Sequence, residues 1–191
     1  IVIMHGDGGL KAPGGHPSPH VFPFMPRNEL LALIGGSARS RLVVHLRLGD
    51  PHEGHRRGYL SEPSALETLR TMLPSDAYCL SDAEEVYSAL CSHLACPSWR
   101  NLPHSSERAM RPSVGEHRLA TLQTWADWWS IRSATGLVLH TPSAFPESAL
   151  RFNMEAESCV MRDAASAATC IARATDESSE ARLRAAQRLE L

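Results

Sequence analysis

The chain of 191 residues has little lysine, no long apolar run and no CxxC pair. Lys11 is its one lysine, and 19 cationic against 21 acidic side chains give a net charge of −2. This balance leaves no broad basic field for nucleic acid. No apolar run approaches the ~20 residues that cross a bilayer, so we expect no membrane contact. With 43% hydrophobic and 21% charged residues, the composition is typical of one globular domain.

Two of the five cysteines lie close to a histidine, a combination that can bind zinc. Cys91, His93 and Cys96 lie close together in the sequence. On a helix, however, their spacing directs them to different sides, and no second ligand pair follows. We therefore expect buried or incidental thiols here, and no zinc site.

The chain divides into three regions by composition. Residues 1–40 hold a β-branched run, a Pro-, Gly- and His-rich loop and a short helix from Asn28 to Ile34. Residues 41–152 alternate between strand and helix patterns, and residues 153–191 form an Ala-rich extension predicted to be helical. Because the chain begins at Ile1 without a signal-peptide pattern, we expect a fragment in which residues 1–40 are a linker or the remnant of another lobe.

The middle region predicts the fold class. Its predicted strands are 41–48, 77–80 and 136–140, with a further short one near Trp99, and its predicted helices are 63–72, 82–95 and 117–134. The strands are mostly apolar on both faces, which is typical of a parallel sheet covered by helices on two sides. We therefore expect a doubly wound α/β fold of the nucleotide-binding type.

Three predicted strands end in polar residues, at the edge where open α/β sheets bind ligands. In the first strand the leucines share one face, whereas His45 and Arg47 share the other. An arginine at the end of an apolar strand is costly to desolvate unless an anion meets it. The alternative is an ion pair between Arg47 and Asp50 that only braces the loop.

The other two strand ends precede helices. Ser81 and Asp82 end one strand, where helix N–H groups suit an anion or a ribose, and a plain N-cap is the alternative. Ser143 follows the strand at 136–140, where its hydroxyl and the backbone N–H groups of a new helix suit a phosphate. Ordinary capping is the alternative here as well.

The three strand ends together resemble a known family, in which a short polar turn like Ser81-Asp82 usually follows the second of these strands. HLRLGD at 45–50 is similar to the HxRxGD donor motif of the fucosyltransferase superfamily, which contains the α1,2-, α1,6- and protein O-fucosyltransferases. Residues 127–145 resemble its later motif, with an Asp on a helix, an apolar strand and a Ser-containing turn that ends in Phe. Order and spacing agree over about residues 41–152. The resemblance implies a GT-B-like fold in which this chain supplies the Rossmann-like donor-binding half.

The resemblance also implies an activity. It implies GDP-fucose as the donor and transfer with inversion to a glycan or protein acceptor, in the Golgi or secretory lumen. No metal or other cofactor is required, which agrees with the absence of an Asp-x-Asp pair from the sequence. A non-catalytic nucleotide-sugar-binding or structural module with the same fold is the alternative.

Site residues follow from the resemblance by position. Arg47 would bind the β-phosphate and stabilise the leaving diphosphate, while His45 and Asp127 would contact guanine or its ribose. Ser143 and Phe145 would hold the diphosphate, and Ala144 stands where the family often has a second serine. The expected donor-binding residues are His45, Arg47, Gly49, Asp50, Ser81, Asp82, Asp127, Ser143, Ala144 and Phe145.

The expected general base is Glu53, in the loop that follows the donor motif. His52 and His55 are alternative bases because histidine titrates in the right range. A solvent-exposed loop without a catalytic role is equally compatible with the pattern. A metal site built from His45, Asp50, His52 and His55 is disfavoured.

Overall fold

The computed structural model describes residues 28–34, 40–48, 60, 62, 64–101 and 114–189. Its strands are β1 (Leu42–Leu46), β2 (Tyr78–Ser81), β3 (Leu137–His140) and β4 (Glu157–Val160). Its α-helices are α1 (Asn28–Ile34), α2 (Ala65–Met72), α3 (Glu84–Leu90), α4 (Val114–Arg132), α5 (Ala144–Leu150) and α6 (Ala164–Leu189). None of these helices is long and apolar enough to cross a membrane.

The four strands form one parallel sheet in the order β2-β1-β3-β4. Val44 of β1 lies opposite Cys79 on one side and Leu139 on the other, so β1 is an interior strand. Its sequence LVVHL is buried at every position, as a strand covered on both faces requires. The predicted α/β class with a parallel sheet is confirmed.

The side chains of β1 alternate between two apolar cores, one on each face of the sheet. Leu42, Val44 and Leu46 belong to the first core, whereas Val43 belongs to the second. Helices α2, α3 and α6 contribute to the first core, and α1, α4 and α5 to the second. Each face of the sheet is therefore covered by helices, and the predicted alternation along β1 is confirmed.

The sequence pattern missed strand β4, which lies in the region predicted to be helical. β4 is an edge strand whose side chains are exposed or half-buried, so it lacks the apolar run that identifies interior strands. The Asn153 amide fixes the turn before it by donating to the carbonyls of Ile131 and Ala134 at 3.0 and 2.9 Å. The predicted helix does follow, as α6, and buries Ala167 and Ile171 in the first core.

The strand predicted near Trp99 is wrong. Residues Ser98–Asn101 form a 3₁₀ helix, and the backbone contact at the outer edge of β2 is made by Ala95. Ala95 donates its N–H to Ala77 O at 3.0 Å and accepts from Cys79 N at 2.8 Å. Ala95 thus pairs with the outward-facing groups of Ala77 and Cys79, and within the part of the chain that the structure describes no further strand joins β2 there.

The thiols expected at Cys91 and Cys96 are wrong, because four of the five cysteines are paired in disulfides, which the sequence had left open. Cys91 and Cys96 form one disulfide, next to the bridge at the outer edge of β2. A second disulfide, between Cys159 and Cys170, joins β4 to α6. Cys79 is a buried thiol, and burial raises its pKa to about 12. The edge strand β4 is thus covalently tied to α6, while Cys91–Cys96 ties the end of α3 to the segment that pairs with β2.

Reduction of the two disulfides should lower the melting temperature of the protein by roughly 10 to 20 °C. The loops they close span sequence separations of 11 and 5, for which chain entropy gives about 3 and about 2 kcal/mol. Differential scanning calorimetry with and without reductant measures the shift. A variant with these four cysteines replaced by alanine is the control and should not respond to reductant; equal melting of oxidised and reduced wild type would refute the prediction.

Candidate functional site

The strand order places a topological switch point between the ends of β1 and β3. The chain moves from β1 to β2 on one side and later reaches β3 on the other, so connections leave this point in opposite directions. Open α/β sheets bind ligands at such a switch point, outside the carboxyl ends of the strands. Arg47, Ser81, Asp82, Thr141 and Ser143 follow or end the three strands here.

Ser81 joins the end of β2 to the end of β1. Its hydroxyl donates to Leu46 O at 2.7 Å and accepts from Ala83 N at 3.1 Å. The Tyr87 hydroxyl accepts from Ser81 N at 2.8 Å and donates to Ser81 O at 2.9 Å. Ser81 is 1% exposed, so these bonds hold the strand ends together beneath the surface. Its expected contact with a donor stays a prediction.

Asp82, the residue after β2, also bonds to the segment that follows β1. Its Oδ1 accepts from Leu48 N at 2.9 Å, and its Oδ2 lies 3.7 Å from Nε of Arg47. The Asp82 side chain is only 5% exposed, whereas that of Arg47 is 47% exposed. The carboxylate beside Arg47 in the described structure is therefore that of Asp82; Asp50, the partner considered from the sequence, lies outside the described residues.

Arg47 lies one residue beyond β1, and its backbone is held from the opposite side by Thr141. Arg47 N donates to Thr141 Oγ1 at 2.9 Å, and Thr141 N donates to His45 O at 3.1 Å. Thr141 thus continues the pairing of β1 with β3 past the end of both strands. Thr141 is not among the site residues predicted from the sequence, although a polar residue directly after an apolar strand is the signal that could have identified it.

The rings of His45 and Phe145 lie on the second-core side of this edge. His45 is 3% exposed, and its ring stacks on Phe145 with centroids 5.4 Å apart and an angle of 29° between the planes. His140 is the register partner of His45, and its ring Nδ1 contacts Thr141 O at 3.0 Å. Burial lowers the pKa of His140, which favours the neutral form of its ring. The structure thus brings together His45 and Phe145, two of the predicted donor-binding residues.

The turn after β3 starts helix α5, as expected. The Ser143 hydroxyl caps the helix by accepting from Phe145 N at 3.3 Å, and Ala144 is the exposed first residue of the helix. Capping, the alternative weighed from the sequence, is thus present. The phosphate contacts implied for Ser143 and Ala144 stay predictions.

Asp127 lies on α4, behind the edge and inside the second core. It is fully buried, and its Oδ1 accepts from Trp99 Nε1 at 2.7 Å. Burial raises its pKa to about 8; the Trp99 hydrogen bond lowers the pKa, and the nearby Asp82 raises it. A guanine could reach this carboxyl only if neighbouring groups moved, so its implied contact with the base stays a prediction. The Trp99 partner was not foreseen from the sequence.

Three predicted site residues, Gly49, Asp50 and Glu53, lie outside the described residues, as do His52 and His55. Within the described ranges no group of three or more His, Cys, Asp or Glu side chains is placed to hold a metal ion. The electrostatic feature that remains at the edge is the half-exposed guanidinium of Arg47 next to one buried carboxylate. Such an arrangement suits an anionic ligand with paired oxygens.

Comparison of the chain with family models, with curated proteins and with solved structures finds no match. The resemblance of residues 45–50 and 127–145 to fucosyltransferase motifs therefore stays a prediction.

The contribution of Asp127 to the stability of the protein should fall as the pH rises from about 4 to about 8. The folded protein holds this proton up to about pH 8, whereas the unfolded chain releases it near pH 3.8. Between these values the folded state binds more protons, so its free energy of unfolding falls by at most about 1.4 kcal/mol per pH unit. Asp127→Asn removes the titration and retains an oxygen for Trp99, so its melting temperature should gain on wild type as pH rises.

Thermal melts at about pH 5 and about pH 8 test this expectation. Asp163→Asn is the matched control, because hydrogen bonds from Ser166 lower the pKa of Asp163 and leave it ionised over that range. Its melting curve should follow that of wild type. Parallel pH profiles for wild type and Asp127→Asn would contradict the prediction.

Proposed function

We propose that this chain is the donor-binding half of a GT-B-like, metal-independent fucosyltransferase. It binds GDP-fucose and transfers fucose with inversion to a glycan or protein acceptor. One observation carries the proposal: the arginine of the HxRxGD-like motif stands at the switch point of a parallel sheet with its side chain 47% exposed. Ligands of open α/β sheets bind at this position.

The residue chemistry agrees with the reaction. When the bond between the sugar C1 and the diphosphate breaks, negative charge grows on the diphosphate. A guanidinium held at the β-phosphate stabilises that charge more strongly in the transition state than in the ground state. Loss of such a group typically lowers the rate by about 10²–10³. Arg47 takes this role in the proposal, and Glu53 accepts the proton of the acceptor hydroxyl.

The compartment proposed for the protein is an oxidising one, such as the Golgi or secretory lumen. Disulfides persist in such compartments and are rare in the cytosol of most organisms. The two disulfides of this chain support that placement.

GDP should raise the melting temperature by about 5 to 10 °C at a concentration about 100 times its dissociation constant. UDP and ADP should have smaller effects, because a site built for guanine leaves polar groups unpaired with another base. Arg47→Ala should weaken GDP binding about 10- to 100-fold through the loss of a charge-assisted contact. Arg41→Ala is the matched control, since Arg41 precedes the same strand at its opposite end. An unchanged melting curve in millimolar GDP would overturn the proposal.

Turnover separates the enzyme from a binding module with the same fold. Glu53→Gln should abolish most fucose transfer or GDP-fucose hydrolysis while GDP affinity stays the same, because the base acts on the acceptor and not on the nucleotide. Release of GDP from GDP-fucose, followed by chromatography, measures this. GDP binding by wild type with no turnover in either protein would favour the non-catalytic module.

A further inference from the structure

Asp82 lies between the end of β1 and the Arg47 side chain, with both carboxylate oxygens directed at groups of the protein. Oδ1 accepts from Leu48 N at 2.9 Å, and Oδ2 lies 3.7 Å from Arg47 Nε. The side chain is 5% exposed. Oδ1 thus holds the backbone beyond the end of β1, while Oδ2 faces the guanidinium at ion-pair distance.

The Nε side of the Arg47 guanidinium faces Asp82. Its closest approach to the carboxylate is through Nε. Among the residues that the structure describes, no other acidic side chain pairs with Arg47, and its Nη1 and Nη2 donate no hydrogen bond. These two nitrogens form the fork with which arginine binds two oxygens of a phosphate side by side.

We infer that Asp82 is a positioning residue that acts on the ligand through Arg47. It orients the guanidinium from the Nε side and fixes the backbone at Leu48, so that the Nη1–Nη2 fork is presented to the diphosphate. A side chain ordered before binding loses less conformational entropy when the ligand arrives. The inference rests on the proposed function for the identity of its ligand, and it assigns Asp82 no direct contact with the donor.

The direction in which ligand affinity changes when the Asp82 charge is removed distinguishes a positioning residue from a carboxylate that is merely nearby. A bystander carboxylate near a diphosphate repels it, so its neutralisation strengthens binding. A positioning carboxylate has the opposite effect, because its neutralisation releases the guanidinium. The effect must also disappear when Arg47 is absent.

A double-mutant cycle on GDP affinity tests both conditions. Asp82→Asn removes the charge and retains an oxygen for Leu48 N. We expect it to weaken GDP binding roughly three- to tenfold when Arg47 is present and not to weaken it in an Arg47→Ala background. Asp163→Asn is the control: Asp163 follows β4 at the same edge of the sheet, and its replacement makes the same charge change away from Arg47. Tighter binding by Asp82→Asn, or an equal loss in both backgrounds, overturns the inference.

A measurement without ligand keeps this test separate from the proposed function. NMR relaxation of the Arg47 Nε–H group should show motion of larger amplitude in Asp82→Asn than in wild type, and unchanged motion in Asp163→Asn. Equal order parameters in wild type and Asp82→Asn overturn the inference whether or not GDP binds. Absence of GDP binding by wild type overturns the proposed function alone, and the order parameters still decide the role of Asp82.

Discussion

Three side chains from neighbouring strand ends hold the segment that follows β1, and the candidate site depends on them. Where the regular pairing stops, backbone groups still need partners, and a buried group left without one costs about 1–3 kcal/mol. The Ser81 hydroxyl bonds Leu46 O, Thr141 accepts from Arg47 N, and Asp82 accepts from Leu48 N. The start of the Arg47 side chain is therefore fixed by β2 on one side and by β3 on the other.

The ionisable groups of the site differ in burial, from the interior of the second core to the surface. Asp127, buried against Trp99, has its pKa raised to about 8, which favours the neutral acid in the interior. Asp82 lies nearer the surface and contacts the half-exposed Arg47. The charged pair thus stands at the rim of the sheet, where an anion can approach, while the groups behind it are hydrogen-bonded and covered. This separation is what the proposed transfer needs, because charge develops on the diphosphate at the rim.

The disulfides have a complementary place in the fold. Cys91–Cys96 lies by the outer edge of β2, and Cys159–Cys170 ties the other edge strand, β4, to α6. Edge strands have fewer backbone partners than interior strands, so the covalent tie of β4 reinforces a part of the sheet with little hydrogen bonding. Cys91–Cys96 instead holds the segment through which Ala95 pairs with the outer edge of β2. The interior strands β1 and β3, which carry the candidate site, are held by pairing and by the two cores.

The sequence by itself determined the α/β class, the helices around the sheet and the three apolar strands, because local periodicity records which faces are buried. It also indicated the edge where Arg47 and Asp82 lie, since polar residues followed those strands. The structure alone decided that Thr141 would hold Arg47 N across 94 residues and that Asp82 would reach Leu48 across 34. It alone decided the fourth strand and the cysteine pairs as well. These contacts join segments far apart in the chain, and no local pattern encodes which distant groups will meet.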